Sequence, residues 1–210
     1  MTDPLRRVDL DRGAPRGRRL PAPLGVIVTG VALGLASAWA VLRAQAPLGP
    51  RAGAWQVSLL AGSPGADPWT RARVAVGGLL ALNREETMYY VATADSAGQP
   101  LRARCTYRMT GTPPSARWWS ITAYADDLFL FPAPEPRYSV NNRSAVLDAQ
   151  GRFTLFSGPV QPAEAGSPWL PTPGDRGLLF TLRVYNPGAA LQADPGSIDP
   201  PRIERVGDCR

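Results

Sequence analysis

The sequence predicts a mainly β protein, an antiparallel β-sandwich or jelly roll, preceded by one amphipathic helix and an N-terminal transmembrane helix. Three observations carry this prediction. From Met88 onward, short runs rich in Val, Tyr, Phe, Trp and Thr alternate apolar with polar residues, the period of a strand with one face buried. The runs are separated by clusters of Pro, Gly and Asp, the residue types that turns demand. Ahead of them, Ala22 to Leu42 contains no charged residue, a length that spans a hydrocarbon core of about 30 Å as a helix.

The N-terminal tail, residues 1–21, holds Arg6, Arg7, Arg12, Arg16, Arg18 and Arg19 against Asp3, Asp9 and Asp11, so half of the formal charge of +6 lies there. Only Arg43 and Arg51 follow the apolar stretch closely. This asymmetry places the tail in the cytoplasm and everything after residue 42 outside. Gly30 and Gly34 form a small-xxx-small pair that could support helix pairing. A cleaved signal peptide competes, because Ala38-Trp39-Ala40 and Ala44-Gln45-Ala46 fit an A-x-A rule. The long tail, the long apolar stretch and Pro47 beside the second cleavage point favour a retained anchor.

Residues 43–66 read as a linker, and residues 67–210 as one extracytoplasmic domain. Asp67 and Pro68 supply an N-cap and a first-turn proline. With the spacing of Trp69, Val76, Leu80 and Asn83 they predict an amphipathic helix over 68–84, against which the pair Gly77-Gly78 argues. Residues 88–95 and 101–111 then read as a hairpin around the turn 96–100. Leu101, Ala103, Cys105, Tyr107 and Met109 share its apolar face, and Arg102, Arg104, Thr106 and Arg108 the polar one. Further strands are expected over 117–125, 127–131, 144–148, 152–158 and 178–186.

Composition narrows the chemistry. There is no His and no Lys, which removes histidine bases, Schiff-base lysines and most transition-metal sites. Two cysteines are too few for a structural zinc cluster, and no glycine-rich nucleotide loop is present. No metal and no cofactor are therefore expected. The basic residues outside the tail form no run with interleaved aromatics, so nucleic acid is not an expected partner. In an oxidising compartment Cys105 and Cys209 could pair, closing a loop of about 100 residues and adding roughly 4 kcal/mol; otherwise they are two thiols.

The order Asn83, Tyr89-Tyr90, Asp95, Gly98, Leu101, Tyr107, then Ala116 to Tyr124, Arg137-Tyr138-Ser139, Trp169 to Pro173 and Leu182 to Pro187 resembles the bacterial domain of unknown function 1214, over about residues 75–205. The resemblance implies a jelly-roll-like β-sandwich. In longer relatives this domain follows a second one, number 1254, without a counterpart here, and the chain is similar to a short, membrane-anchored form. For a bacterial protein the topology above means the inner membrane, with the C-terminal domain in the periplasm. The family brings no biochemical function with it.

Trp118, Tyr124, Leu155 and Leu182 are expected in the core, as strand aromatics and leucines usually are. Arg137, Tyr138, Trp169, Arg183 and Tyr185 are the candidate ligand-binding residues. A guanidinium beside a ring can hold a carboxylate, phosphate or sugar, or clamp a turn carbonyl. Glu85, Glu86, Asp95, Asp126, Asp127 and Asp175 could supply a carboxylate pair for glycosidic hydrolysis, but Asp in turns more often caps its own backbone. The reading favoured is a non-enzymatic, membrane-anchored periplasmic module. It would bind or assemble an envelope protein, saccharide or lipid head group. The alternative is a hydrolase or lyase using carboxylate and arginine chemistry on envelope material.

Overall fold

The computed structural model describes residues 22–43, 49–76, 81–133, 137–163, 166–207 and 209. The chain forms two compact units, Met1–Ala44 and Gln45–Arg210. In the first, helix α1 (Ala22–Arg43) leaves Val26, Ile27, Val31, Leu33 and Leu35 exposed. Among the described residues it is the one helix long and apolar enough to cross a membrane, with a mean hydropathy of 2.0. Its Ser37 hydroxyl donates to the Gly34 carbonyl at 2.9 Å, so this polar group is bonded within the helix.

The second unit is the expected β-sandwich. One sheet has six strands in the order β1 (Arg51–Ala52), β2 (Trp55–Val57), β3 (Thr87–Ala92), β9 (Leu178–Pro187), β5 (Ala116–Ala125) and β6 (Ser139–Asn141). The other has four, in the order β10 (Arg202–Arg205), β4 (Tyr107–Gly111), β7 (Phe153–Gly158) and β8 (Trp169–Pro171). The pairings are antiparallel except β7 with β8, which is parallel. Helix α2 (Pro68–Val76) precedes β3, and the short α3 (Ala189–Ala193) follows β9.

The core lies between the sheets and is set by alternation. Trp119, Ile121, Ala123 and Ala125 of β5, Phe180, Leu182 and Val184 of β9, and Met88, Tyr90 and Ala92 of β3 point inward from the six-stranded sheet. Tyr107, Met109, Phe153, Leu155 and Ile203 meet them from the other. Two aromatic pairs cross the gap: Trp119 stacks on Phe153 with centroids 4.8 Å apart, and Tyr107 meets Phe180 edge-on at 6.2 Å. The polar tips of buried aromatics end on backbone, since a buried N–H or O–H without a partner is costly. Trp55 donates through Nε1 to the Pro201 carbonyl at 2.7 Å, and Tyr90 through its hydroxyl to that of Pro195 at 2.9 Å. Burial raises the Tyr90 phenol far above its ordinary pKa, helped by Asp194.

Several expectations are corrected. Arg51–Ala52 and Trp55–Val57, read as linker, are strands that place Trp55 and Val57 in the core. Helix α2 stops at Val76; residues 77–80 lie outside the described residues, and 81–84 are not helical. Its apolar residues do not face inward: Thr70 is buried, whereas Trp69 and Val76 are exposed. Asp67 does cap it, accepting the amides of Trp69 and Thr70 and the Thr70 hydroxyl at 2.5 Å.

The expected hairpin is also different. The turn is present, with a bridge between Ala94 and Pro100, but β3 and β4 enter different sheets. Between them, residues 101–106 cross from one layer to the other. Leu101, Ala103 and Cys105 stay buried because both sheets face the same core. Cys105 is joined there to Cys209, so the crossing is tied to the segment after β10. Residues 127–131 form a turn rather than a strand, with Leu128 at a left-handed φ of 68°. Of 144–148, Leu147 alone makes an isolated bridge, to Phe153, and the edge strand is β6 instead.

Two stability experiments follow. Trp119→Ala should cost about 3–5 kcal/mol, as large-to-small changes in a closed core do, whereas Trp118→Ala, one residue away on the outer face, should cost about 1 kcal/mol; urea denaturation of both variants checks this. Cys105→Ser with Cys209→Ser should lower stability by about 4 kcal/mol if closure of the long loop dominates, and reducing agent should then have no further effect on the variant.

Candidate functional site

Residues of β9 that do not enter the core point to the opposite side of the six-stranded sheet, and the register says what they meet there. Tyr185 lies between Thr87 of β3 and Trp118 of β5; Arg183 lies between Tyr89 and Ser120; Thr181 lies between Val91 and Thr122. Asn141 and Ser139 of β6 extend the last two rows. The outcome is a polar and aromatic outer face. Its short hydroxyl residues, Ser120, Thr122 and Thr181, are buried, and the half-buried Trp118, Tyr124, Arg183 and Tyr185 stand over them.

Arg183 organises this face. Its Nη1 donates to the Thr122 hydroxyl at 3.2 Å and its Nη2 to the Tyr124 hydroxyl at 2.8 Å, and the guanidinium carbon lies 5.5 Å from the Tyr124 ring centre. Nearby, Arg143 lies over the Trp118 ring at 5.6 Å, carried by a turn in which Asn141 Oδ1 accepts the amides of Arg143 and Ser144. Arg183 thus bonds side-chain hydroxyls rather than a turn carbonyl. Two cations over two rings, above a hydroxyl floor, can hold a group that offers oxygen acceptors and a flat apolar side.

The five candidate residues therefore separate. Arg183 and Tyr185 share the outer face. Arg137 and Tyr138 instead border a nook of about 10 Å³ with Ala123, Phe131, Leu170 and Pro171, room for about one water. Trp169 donates through Nε1 to the Gly158 carbonyl at 3.1 Å, which clamps β8 to the end of β7. Sequence reasoning put Trp118 and Tyr124 in the core; Leu155 and Leu182 are there, but Trp118 and Tyr124 belong to the outer face.

Glu85 and Glu86 lie exposed in a turn whose amides donate to Asn83 Oδ1, and the aspartates are engaged in turns and ion pairs. Asp95 is buried and accepts the amides of Ala97 and Gln99 at 3.0 and 2.9 Å, with Arg205 at 3.8 Å. It borders a hollow of about 200 Å³ with Arg51, Gln56 and Thr93, its Oδ1 committed to its own turn and its Oδ2 facing Arg205. Arg176 pairs with Asp126 and Asp127, and Arg104 with Asp175. The Phe129 amide, followed by Arg176, holds the Asp127 carboxyl below its ordinary pKa. On the four-stranded sheet, Arg108 and then Arg202 do the same for Glu204, each at 2.9 Å. Among the described residues no group of three potential metal ligands comes together.

Residues 86–189 match the family described as "protein of unknown function (DUF1214)". This stretch of the chain belongs to that family. It takes in β3 to β9, and so the outer face around Arg183. No curated protein matches the sequence significantly. Among solved structures, the chain is similar to the VPA0106 protein of Vibrio parahaemolyticus, with a TM-score of 0.57 and 21% identity over 92% of this chain and 47% of that one. An uncharacterised protein from Burkholderia cenocepacia aligns with a TM-score of 0.40 and 16% identity, over 91% of this chain and 45% of that one. The chain thus spans about half the length of both. The likeness to the Vibrio protein shows that the fold of this DUF1214 domain is shared.

Depressed carboxyls such as those of Asp127 and Glu204 give a pH dependence with a definite sign. A folded-state pKa below the unfolded one adds stability that is complete above the unfolded value and is lost as pH falls through the folded value. Glu204→Gln should therefore be less stable than the parent at neutral pH. The difference should shrink as pH drops through and below the ordinary carboxylate range, which urea midpoints measured over that range check.

Proposed function

We propose that this protein is an envelope binding or assembly module. Helix α1 holds it in the inner membrane with the N-terminus cytoplasmic, and the sandwich lies in the periplasm. The observation that carries the reading is the pairing of an apolar, fully exposed helix with the Cys105–Cys209 disulfide in one chain. The first suits a bilayer, and the second suits an oxidising compartment rather than the cytosol. The arginine-rich tail ahead of α1 supports the orientation. Modification of single cysteines by a membrane-impermeant maleimide in intact cells tests it. A cysteine at Gln150, in an exposed turn, should react without permeabilisation and one at Thr2 only after it; the reverse pattern overturns the topology.

The ligand face in this reading is the outer face around Arg183 and Tyr185. Guanidinium, ring and hydroxyl together favour an acidic saccharide or an anionic head group, whose charge meets the arginine and whose apolar side meets the aromatics. Titration calorimetry of the full chain with uronic-acid oligosaccharides should detect binding. Arg183→Met should weaken it at least about tenfold, the worth of one charge-assisted hydrogen bond. Arg202→Met, on the edge strand of the four-stranded sheet, should leave it unchanged; equal loss in both variants would contradict this assignment.

A further inference from the structure

Three large apolar residues of α2 and of the loop before it, Trp69, Val76 and Leu60, face away from the core, whereas Ala61 and Ala66 of the loop are buried. Trp69 is 49% exposed, Val76 71% and Leu60 42%. Between the helix and the loop lies an open groove of about 380 Å³, bordered by Leu60, Pro64, Ala66, Val74 and Ala75. The groove has a fixed shape. Arg71 donates to the Ala66 and Pro64 carbonyls at 2.8 and 2.7 Å. Gly62 sits at a left-handed φ of 74°, where a Cβ would strike the Leu82 carbonyl. The helix carries Arg71 and Arg73 and no acidic residue. An exposed tryptophan and aliphatics beside arginines make the composition of a helix lying at a lipid interface.

The chain itself indicates what covers this surface. After α1, the first described residues are Gly49 and Pro50, and they are fastened next to the loop: Val57 donates to the Pro50 carbonyl at 3.1 Å and Gln56 Nε2 to that of Gly49 at 3.3 Å. Leu60 follows three residues after Val57. From Arg43 to Gly49 the backbone can extend at most about 20 Å. If α1 ends at the membrane surface, Gly49 stays within that reach of it. Of the other exposed apolar segments, Leu128 to Leu130 lies three strands across from β2 and beyond the end of β5, and Val146 and Leu147 follow the edge strand β6, farther still, so neither has such a tether.

We propose that α2 and the loop Leu60–Ala66 form a second membrane contact, seating Trp69, Val76 and Leu60 in the phospholipid interface while the exposed Arg71 meets anionic head groups. The proposal rests on α1 spanning the bilayer, and the test separates the two claims. The full chain is reconstituted in nanodiscs of equal parts phosphatidylcholine and phosphatidylglycerol, with single spin labels on Leu33→Cys in α1, Trp69→Cys, Val76→Cys and, as an aqueous reference, Gln150→Cys. Labels at 69 and 76 should be relaxed several-fold more by oxygen relative to a water-soluble nickel chelate than the label at 150. Relaxation of 69 and 76 equal to that of 150 overturns the proposal and leaves the anchor standing, provided 33 is in lipid. Protection of 69 and 76 from both relaxants, as a second copy or a protein partner would give, also overturns it. An aqueous label at 33 overturns the anchor reading itself.

Discussion

The fold depends on the burial of aromatic side chains between two sheets that share no strand. Trp119 against Phe153 and Tyr107 against Phe180 each join a residue of the six-stranded sheet to one of the four-stranded sheet. Backbone hydrogen bonds hold each sheet together internally, but they do not hold one sheet to the other. That task falls to apolar area, which contributes about 25 cal/mol per Å² removed from water, and to the ring geometry of these pairs. The crossing at residues 101–106 adds a covalent component. Tyr107 carries its ring into the core and its hydroxyl to the Arg102 amide at 2.9 Å, and Cys105 ties the same stretch to the C-terminal segment.

Filling the core also fixes the candidate site. A strand presents alternate residues to opposite faces, so placing Trp119, Ile121 and Ala123 inside forces Trp118, Ser120, Thr122 and Tyr124 outside. The same parity on β9 puts Leu182 and Val184 inside and Arg183 and Tyr185 out. The outer face is therefore a by-product of core packing in position, and what distinguishes it is chemistry: two arginines, several rings and a row of hydroxyls on a rigid sheet. A rigid support of this kind keeps polar groups in place before a ligand arrives, which reduces the ordering cost of binding.

Much of this was legible in the sequence, and the exceptions have physical reasons. Alternation over 117–125, 152–158 and 178–186 identified the three strands at the centre of the two sheets, because long strands with one buried face repeat the signal several times. The parity within β5 is readable too, since Trp118 and Tyr124 share the set of Ser120 and Thr122; their size pulls the other way, because strand aromatics usually fill cores. β1, β2, β6 and β10 are two to four residues long, too short for any period to show. The division of Arg137 and Tyr138 from Arg183 is a matter of tertiary placement that spacing along a chain does not encode. Helix α2 departs for another reason: Trp69 and Val76, whose spacing suggests a buried stripe, are exposed.

The central claim is that the geometry of specific ring pairs adds to apolar burial in holding the two sheets together. A double-mutant cycle on Trp119→Leu and Phe153→Leu, read by urea denaturation of the full chain, tests it most directly. The account expects a coupling energy of about 0.5–1.5 kcal/mol for the stacked rings; strictly additive effects of the two substitutions would contradict it.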